Sequence, residues 1–146
     1  MLYENIDKLI AEAMKNHDNI RLSTLRLIKT KFLEYKTSKD AKPLNEVIEV
    51  QLLRKMITER QDAFDIYNSA GRKELAEKEF NEINIIKEFL PAEVTKEQII
   101  NAFENVLMQG VEPVRKNMGI FIKTIKNELP TADGKLVSTI VSERLS

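Results

Sequence analysis

One histidine, no cysteine and a large share of charged, helix-forming residues limit the chemistry this chain can perform. His17 falls in the polar run Asn16-His17-Asp18-Asn19. A general base needs a positioned partner, and side chains of consecutive residues such as His17 and Asp18 do not converge, so His17 reads as a solvated turn residue. Without cysteine there is no disulfide and no thiolate ligand, and one imidazole cannot build a multi-histidine metal site. The sequence contains no P-loop, no glycine-rich dinucleotide fingerprint, no nucleophile elbow and no HExxH pattern. The carboxylates Glu74, Glu77, Glu79, Glu82 and Glu88 alternate with Lys73, Lys78 and Lys87, the pattern of a solvated helix face laced with weak ion pairs. Arg60 differs, because it falls on an apolar stripe. It must either extend to water or pair with a carboxylate where two helices meet. The residues themselves therefore suggest no catalytic group, cofactor or metal.

The cations and two of the glycines are more informative. The totals balance, with 23 Lys and Arg against 23 Asp and Glu, which does not match a strongly basic nucleic-acid binder. Local charge is uneven. From Lys15 to Lys42 eight basic residues face three acids, and Arg26, Lys29 and Lys36 fall within about 80° of one another on a helical wheel. From Pro113 onward six basic residues, among them Lys123, Lys126 and Lys135, face three acids. Such patches suit phosphates. Gly119 lies in or at the start of a helical pattern, where glycine costs about 1 kcal/mol against alanine. That cost points to close backbone approach, by a neighbouring helix or by a ligand. In Thr131-Ala132-Asp133-Gly134-Lys135, Asp133 reads as a helix N-cap and Gly134 as the first helical residue. The amides of such a start suit an anion, and Lys135 adds charge there.

These residues have to be positioned by helices. The composition is 42% hydrophobic and 32% charged, with only 6% aromatic, no Trp, and four each of Gly and Pro. That excludes a β-sandwich or barrel and favours an all-α chain. Apolar spacing predicts helices over Leu2–Lys15, Ile20–Lys36, Asn45–Ser69 and Arg72–Phe89. Leu2, Ile6, Leu9, Ile10 and Met14 should face inward from the first, and Leu75, Ala76, Phe80, Ile83, Ile86 and Leu90 from the fourth. Leu90-Pro91 ends that run. A Thr95-x-x-Gln98 capping box opens a fifth helix that stops at Gly110. A sixth lies between Pro113 and Pro130, and a seventh starts at Asp133. The expected architecture is an N-terminal four-helix layer with long helices over residues 1–92, followed by a small C-terminal three-helix bundle over 93–146. No apolar run is long enough for a membrane span, and the acids Glu4, Asp7 and Glu12 do not suit a secretory leader. A cytoplasmic location is expected.

Several motifs occur in a fixed order: Leu25-Arg26-Leu27-Ile28-Lys29, Arg60-Gln61-Asp62, Ala70-Gly71-Arg72-Lys73-Glu74-Leu75-Ala76-Glu77-Lys78-Glu79, Phe89-Leu90-Pro91, Asn117-Met118-Gly119 and Ala132-Asp133-Gly134-Lys135-Leu136-Val137. In this order the set resembles a stand-alone member of the GatB/YqeY family, across nearly the whole chain. That family includes the C-terminal helical and tail region of the B subunit of the tRNA-dependent amidotransferase, which converts misacylated Glu-tRNA(Gln) or Asp-tRNA(Asn) to the amide. Similar domains are appended to some glutaminyl-tRNA synthetases. The chain departs from the family pattern at Ile120-Phe121-Ile122, which is bulkier than the usual run of small residues.

The resemblance implies a two-part all-α architecture and a tRNA-related role in translation. It carries no catalysis to this chain, because the amidation and glutaminase chemistry of the family's enzyme lies in other domains. The expected function is a non-catalytic tRNA-binding accessory module. Its surface would be Gly119, Lys123, Lys126, Gly134 and Lys135, with Arg26, Lys29 and Lys36 as a secondary basic face. Binding should be weak, and an aminoacyl-tRNA synthetase or an amidotransferase is a partner the resemblance suggests. Two other readings compete: an amidotransferase-like carbon–nitrogen ligase taking its nitrogen from glutamine, and a helical protein–protein adaptor.

Overall fold

The computed structural model describes residues 1–146 and is all-helical, without a strand. Seven α-helices follow one another: α1 (Leu2–Lys15), α2 (Asn19–Lys36), α3 (Glu46–Ser69), α4 (Lys73–Lys87), α5 (Lys96–Met108), α6 (Met118–Glu128) and α7 (Gly134–Arg144). A 3-10 turn, Arg115–Asn117, leads directly into α6. The chain divides into two compact units, Met1–Leu90 with α1–α4 and Pro91–Ser146 with α5–α7. No helix is long and apolar enough to cross a membrane.

In the first unit the helix starts follow from local chemistry. Asp18 Oδ1 accepts a hydrogen bond from the Arg21 amide at 3.1 Å, and Asn45 Oδ1 one from the Ile48 amide at 2.9 Å. Each satisfies an amide that the first helical turn leaves without a partner. The turn before α2 places His17 at φ 56°, in the left-handed region, and Gly71 takes φ 72° between α3 and α4. Leu25, Ile28 and Phe32 of α2 form the centre of the core, against Ile6 and Ala13 of α1, Leu53 and Met56 of α3 and Ile86 of α4.

Two carboxylates, Glu82 and Glu49, are buried in this unit with their partners. Arg60 Nε donates to Glu82 Oε2 at 2.9 Å across the α3–α4 contact, and its Nη1 donates to the Met56 carbonyl at 3.1 Å. This is the carboxylate pairing that the position of Arg60 on an apolar stripe calls for. Glu49 of α3 accepts hydrogen bonds from the Leu2 and Tyr3 amides, at 3.2 and 2.7 Å. Met1 supplies no side-chain cap to α1, so a carboxylate from another helix does that work.

Some inward expectations fail. Ala13, not Met14, enters the core, and Met14 is 53% exposed. Ala13 lies seven residues from Ile6 and so stays on its stripe, whereas Met14 is rotated about 80° from it. Leu75 and Phe80 are also exposed, at 39% and 51%. The reason is the length of α3. No residue of α3 after Met56 is buried, so the far half of the α3–α4 hairpin has only two helices to pack, and Phe80 pairs only with Phe64, ring centres 6.2 Å apart.

The second unit opens on the full Thr95 capping box: the Gln98 amide donates to Thr95 Oγ1, and the Thr95 amide to Gln98 Oε1. Ile99, Phe103 and Val106 of α5, Phe121 and Ile125 of α6 and Val137, Ile140 and Val141 of α7 share one core. Phe103 and Phe121 stack at 4.6 Å. The bulky Ile120-Phe121-Ile122 run is thereby explained in part, since Phe121 is wholly buried while Ile120 stays half exposed.

Candidate nucleic-acid interface

Gly119, Lys123 and Lys126 recur at four-three spacing on α6, so they lie on one helix face. All three are exposed. A side chain added at Gly119 would meet nothing within 4 Å. The neighbouring-helix reading of that glycine therefore fails, and its backbone is open to whatever approaches the face.

The stripe ends at the start of α7. Asp133 caps that helix, its Oδ1 accepting from the Lys135 amide at 3.1 Å. A Cβ on Gly134 would lie 3.0 Å from Lys126 Nζ. The glycine thus leaves room for an ammonium group against the first turn of α7, where the helix dipole is positive. Lys123, Lys126 and Lys135 form no ion pair with any carboxylate, while Asp133 contributes the one negative charge at this helix start. Lysine beside a helix N-terminus is electrostatically unfavourable alone. A phosphate oxygen there would accept from the ammonium and from backbone amides together. In the sequence Lys126 is one cation among several after Pro113. Its position over Gly134 depends on the turn over 129–133, which brings two helices together.

The secondary basic face is arranged differently. Lys29 Nζ pairs with Asp7 Oδ1 at 2.5 Å, Lys36 Nζ sits 4.4 Å from the centre of the Tyr3 ring, and Arg26 Nη2 lies 4.0 Å from Met14 Sδ. All three cations reach residues of α1. Elsewhere on α2, Arg21 pairs with Glu88 and lies over the Phe89 ring. Much of the local positive excess is thus met within the unit.

A Schizosaccharomyces pombe protein described as "Uncharacterized protein C22F3.15" is 33% identical over 87 residues, which is 59% of this chain and 69% of that one. Two proteins named "Altered inheritance of mitochondria protein 41, mitochondrial" are also similar. The one from Lachancea thermotolerans is 31% identical over 59% of this chain and 46% of its own length, and the one from Kluyveromyces lactis is 26% identical over 92% of this chain and 77% of its own length. The family described as "Yqey-like protein" matches residues 3–145, and the chain therefore belongs to the YqeY-like family.

Proposed function

We propose that this protein is a non-catalytic tRNA-binding accessory module, and that Gly119, Lys123, Lys126, Gly134 and Lys135 hold the tRNA backbone. The observation that carries the reading is the placement of Lys126 Nζ against the first turn of α7, at the position where a Gly134 side chain would stand. An ammonium group and a helix start that converge on one point share a single kind of complement, an oxyanion. The open face of Gly119 lets a sugar-phosphate strand reach the backbone of α6. Recognition is led by shape and phosphate, because the exposed stripe offers no aromatic side chains on which unpaired bases would stack. With three or four cations engaged, affinity is about micromolar or weaker at physiological salt.

The finer architecture belongs to the same proposal: a four-helix layer over 1–92 and a three-helix tail over 93–146. So does a cytoplasmic role in translation, beside an aminoacyl-tRNA synthetase or an amidotransferase. Two relatives carry "mitochondrial" in their names, and mitochondria also translate. The amidotransferase-like ligase reading gains no support from the site, which presents cations and amides but no activated nucleophile.

The test is tRNA binding measured across a salt series. On a log–log plot the affinity should fall with a slope set by about three phosphate contacts. Binding that ignores salt, or no binding at all, would leave the helical adaptor as the better account.

A further inference from the structure

The cation row on α6 begins before the helix does. Lys116 stands in the 3-10 turn Arg115–Asn117, three residues ahead of Gly119. Residues three apart share a side in a 3-10 turn and in an α-helix alike, so Lys116 falls in line with Gly119, Lys123 and Lys126. All four are exposed, and Lys116, like the other two lysines, forms no ion pair. Its neighbour Arg115 lies about 120° around the turn from that line. The one acid of α6, Glu128, lies about half a turn from Gly119, on the opposite side. The row from Lys116 to Lys126 is about 15 Å long, and the burial of Phe121 and Ile125 holds the other side of α6 in the core.

The aromatic residues of this unit decide which form of RNA suits the row. From Pro91 to Ser146 there are two, Phe103 and Phe121, and they stack on each other inside the core. An unpaired strand is flexible, and proteins that bind one order it by stacking its bases on exposed aromatic side chains. Here a single strand would gain ionic contacts alone and would still have to be ordered. A double-helical stem arrives with its phosphates already fixed, and its A-form minor groove is wide, shallow and lined by 2′-hydroxyls. A helix with cations along one side and an open glycine among them matches that surface: the lysines meet phosphates, and the bare backbone at Gly119 comes close to the ribose edge. Resting on the tRNA-binding reading, we infer that the row Lys116, Gly119, Lys123 and Lys126 lies along the backbone of a double-helical RNA stem, and that Lys116 is one of its phosphate contacts.

The full chain can be titrated, with fluorescence anisotropy as readout, with a blunt RNA duplex of about 16 base pairs and with an unpaired RNA strand carrying the same number of phosphates. At equal salt the duplex should bind at least about tenfold more tightly. Lys116→Ala should weaken duplex binding and lower the log–log salt slope by about one contact, whereas Arg115→Ala, off the row, should leave the slope as it is. Both side chains are exposed, so the circular-dichroism spectrum should not change in either variant. Equal or tighter binding of the unpaired strand would overturn the inference. So would a slope that Lys116→Ala leaves unchanged, or that Arg115→Ala lowers as much. In those cases the tRNA reading still stands if Lys126→Ala with Lys135→Ala weakens tRNA binding. Binding of neither RNA, and of no tRNA, would remove that reading and this inference together.

Discussion

Arg60 Nε lies 2.9 Å from Glu82 Oε2, with the two side chains only 12% and 8% exposed. The pair fastens α3 to α4 at the point where the hydrophobic core gives way to the two-helix arm. Removing one partner leaves a charge with little water to replace it. Arg60→Ala or Glu82→Ala alone should therefore lower unfolding free energy by about 3 kcal/mol. Replacing both, as Arg60→Met with Glu82→Leu, should cost far less. Urea titrations of the three variants check this, and equal losses in single and double variants would disprove it.

Glu49 joins α3 to the start of α1 by accepting the Leu2 and Tyr3 amides. Glu49→Ala should cost about 1.5 to 3 kcal/mol, the range for hydrogen bonds to a charged group. Hydrogen exchange of the first amides of α1 should accelerate in that variant more than exchange in α4. A uniform change across the unit would mean that Glu49 acts through general packing.

The two glycines of the stripe separate stability from binding. Gly119→Ala faces open space in a helix, so it should stabilise the protein by about 0.5 to 1 kcal/mol. If a sugar-phosphate strand approaches that backbone, the same variant should bind tRNA more weakly. Gly134→Ala should move the Lys126 ammonium by a few tenths of an ångström, because its Cβ arrives 3.0 Å from Nζ. It too should lose affinity without losing helix. Thermal melts and tRNA titrations of both variants give the answer, and unchanged binding in both would remove the glycines from the site.

Lys126→Ala with Lys135→Ala should weaken tRNA binding and flatten its salt dependence, with helical content unchanged. Arg26→Ala with Lys29→Ala should alter stability more than binding, since Lys29 already pairs with Asp7. The opposite pattern would move the binding surface to α2.

Glu79 titrates above the ordinary carboxylate value, chiefly because it is partly buried and then because Glu82 is near, while Arg60 and Lys78 pull the other way. An acid with a raised folded value holds its proton longer in the folded chain than in the unfolded one. Its contribution to stability is therefore greatest below the unfolded value and declines as pH rises through the folded one. Glu79→Gln should stabilise the protein at neutral pH and remove that decline. A stability–pH profile of the variant parallel to that of the parent would show that Glu79 is not the group responsible.

Much of the secondary structure was legible in the chain. Asp18, Asn45, Thr95 and Asp133 each cap a helix through bonds to residues two or three positions on, and such local chemistry needs no knowledge of the rest of the fold. The core stripe Leu25, Ile28 and Phe32 follows from periodicity alone, and the ordered motifs pointed to the family. Periodicity could say that Leu75 and Phe80 are apolar, but only the presence or absence of a third helix decides whether they are covered. Arg60 announced a need for a partner, and the packing of α3 on α4 chose Glu82. Glu49 stands in the first turn of its own helix, and the tertiary structure turns it to the start of α1, forty-seven residues away from Leu2. Lys126 and Gly134 likewise meet only because the turn between α6 and α7 brings them together. Hydrogen bonds and apolar spacing within one helix are local and can be read along the chain. Pairings between helices depend on how rigid cylinders pack, which no single segment encodes.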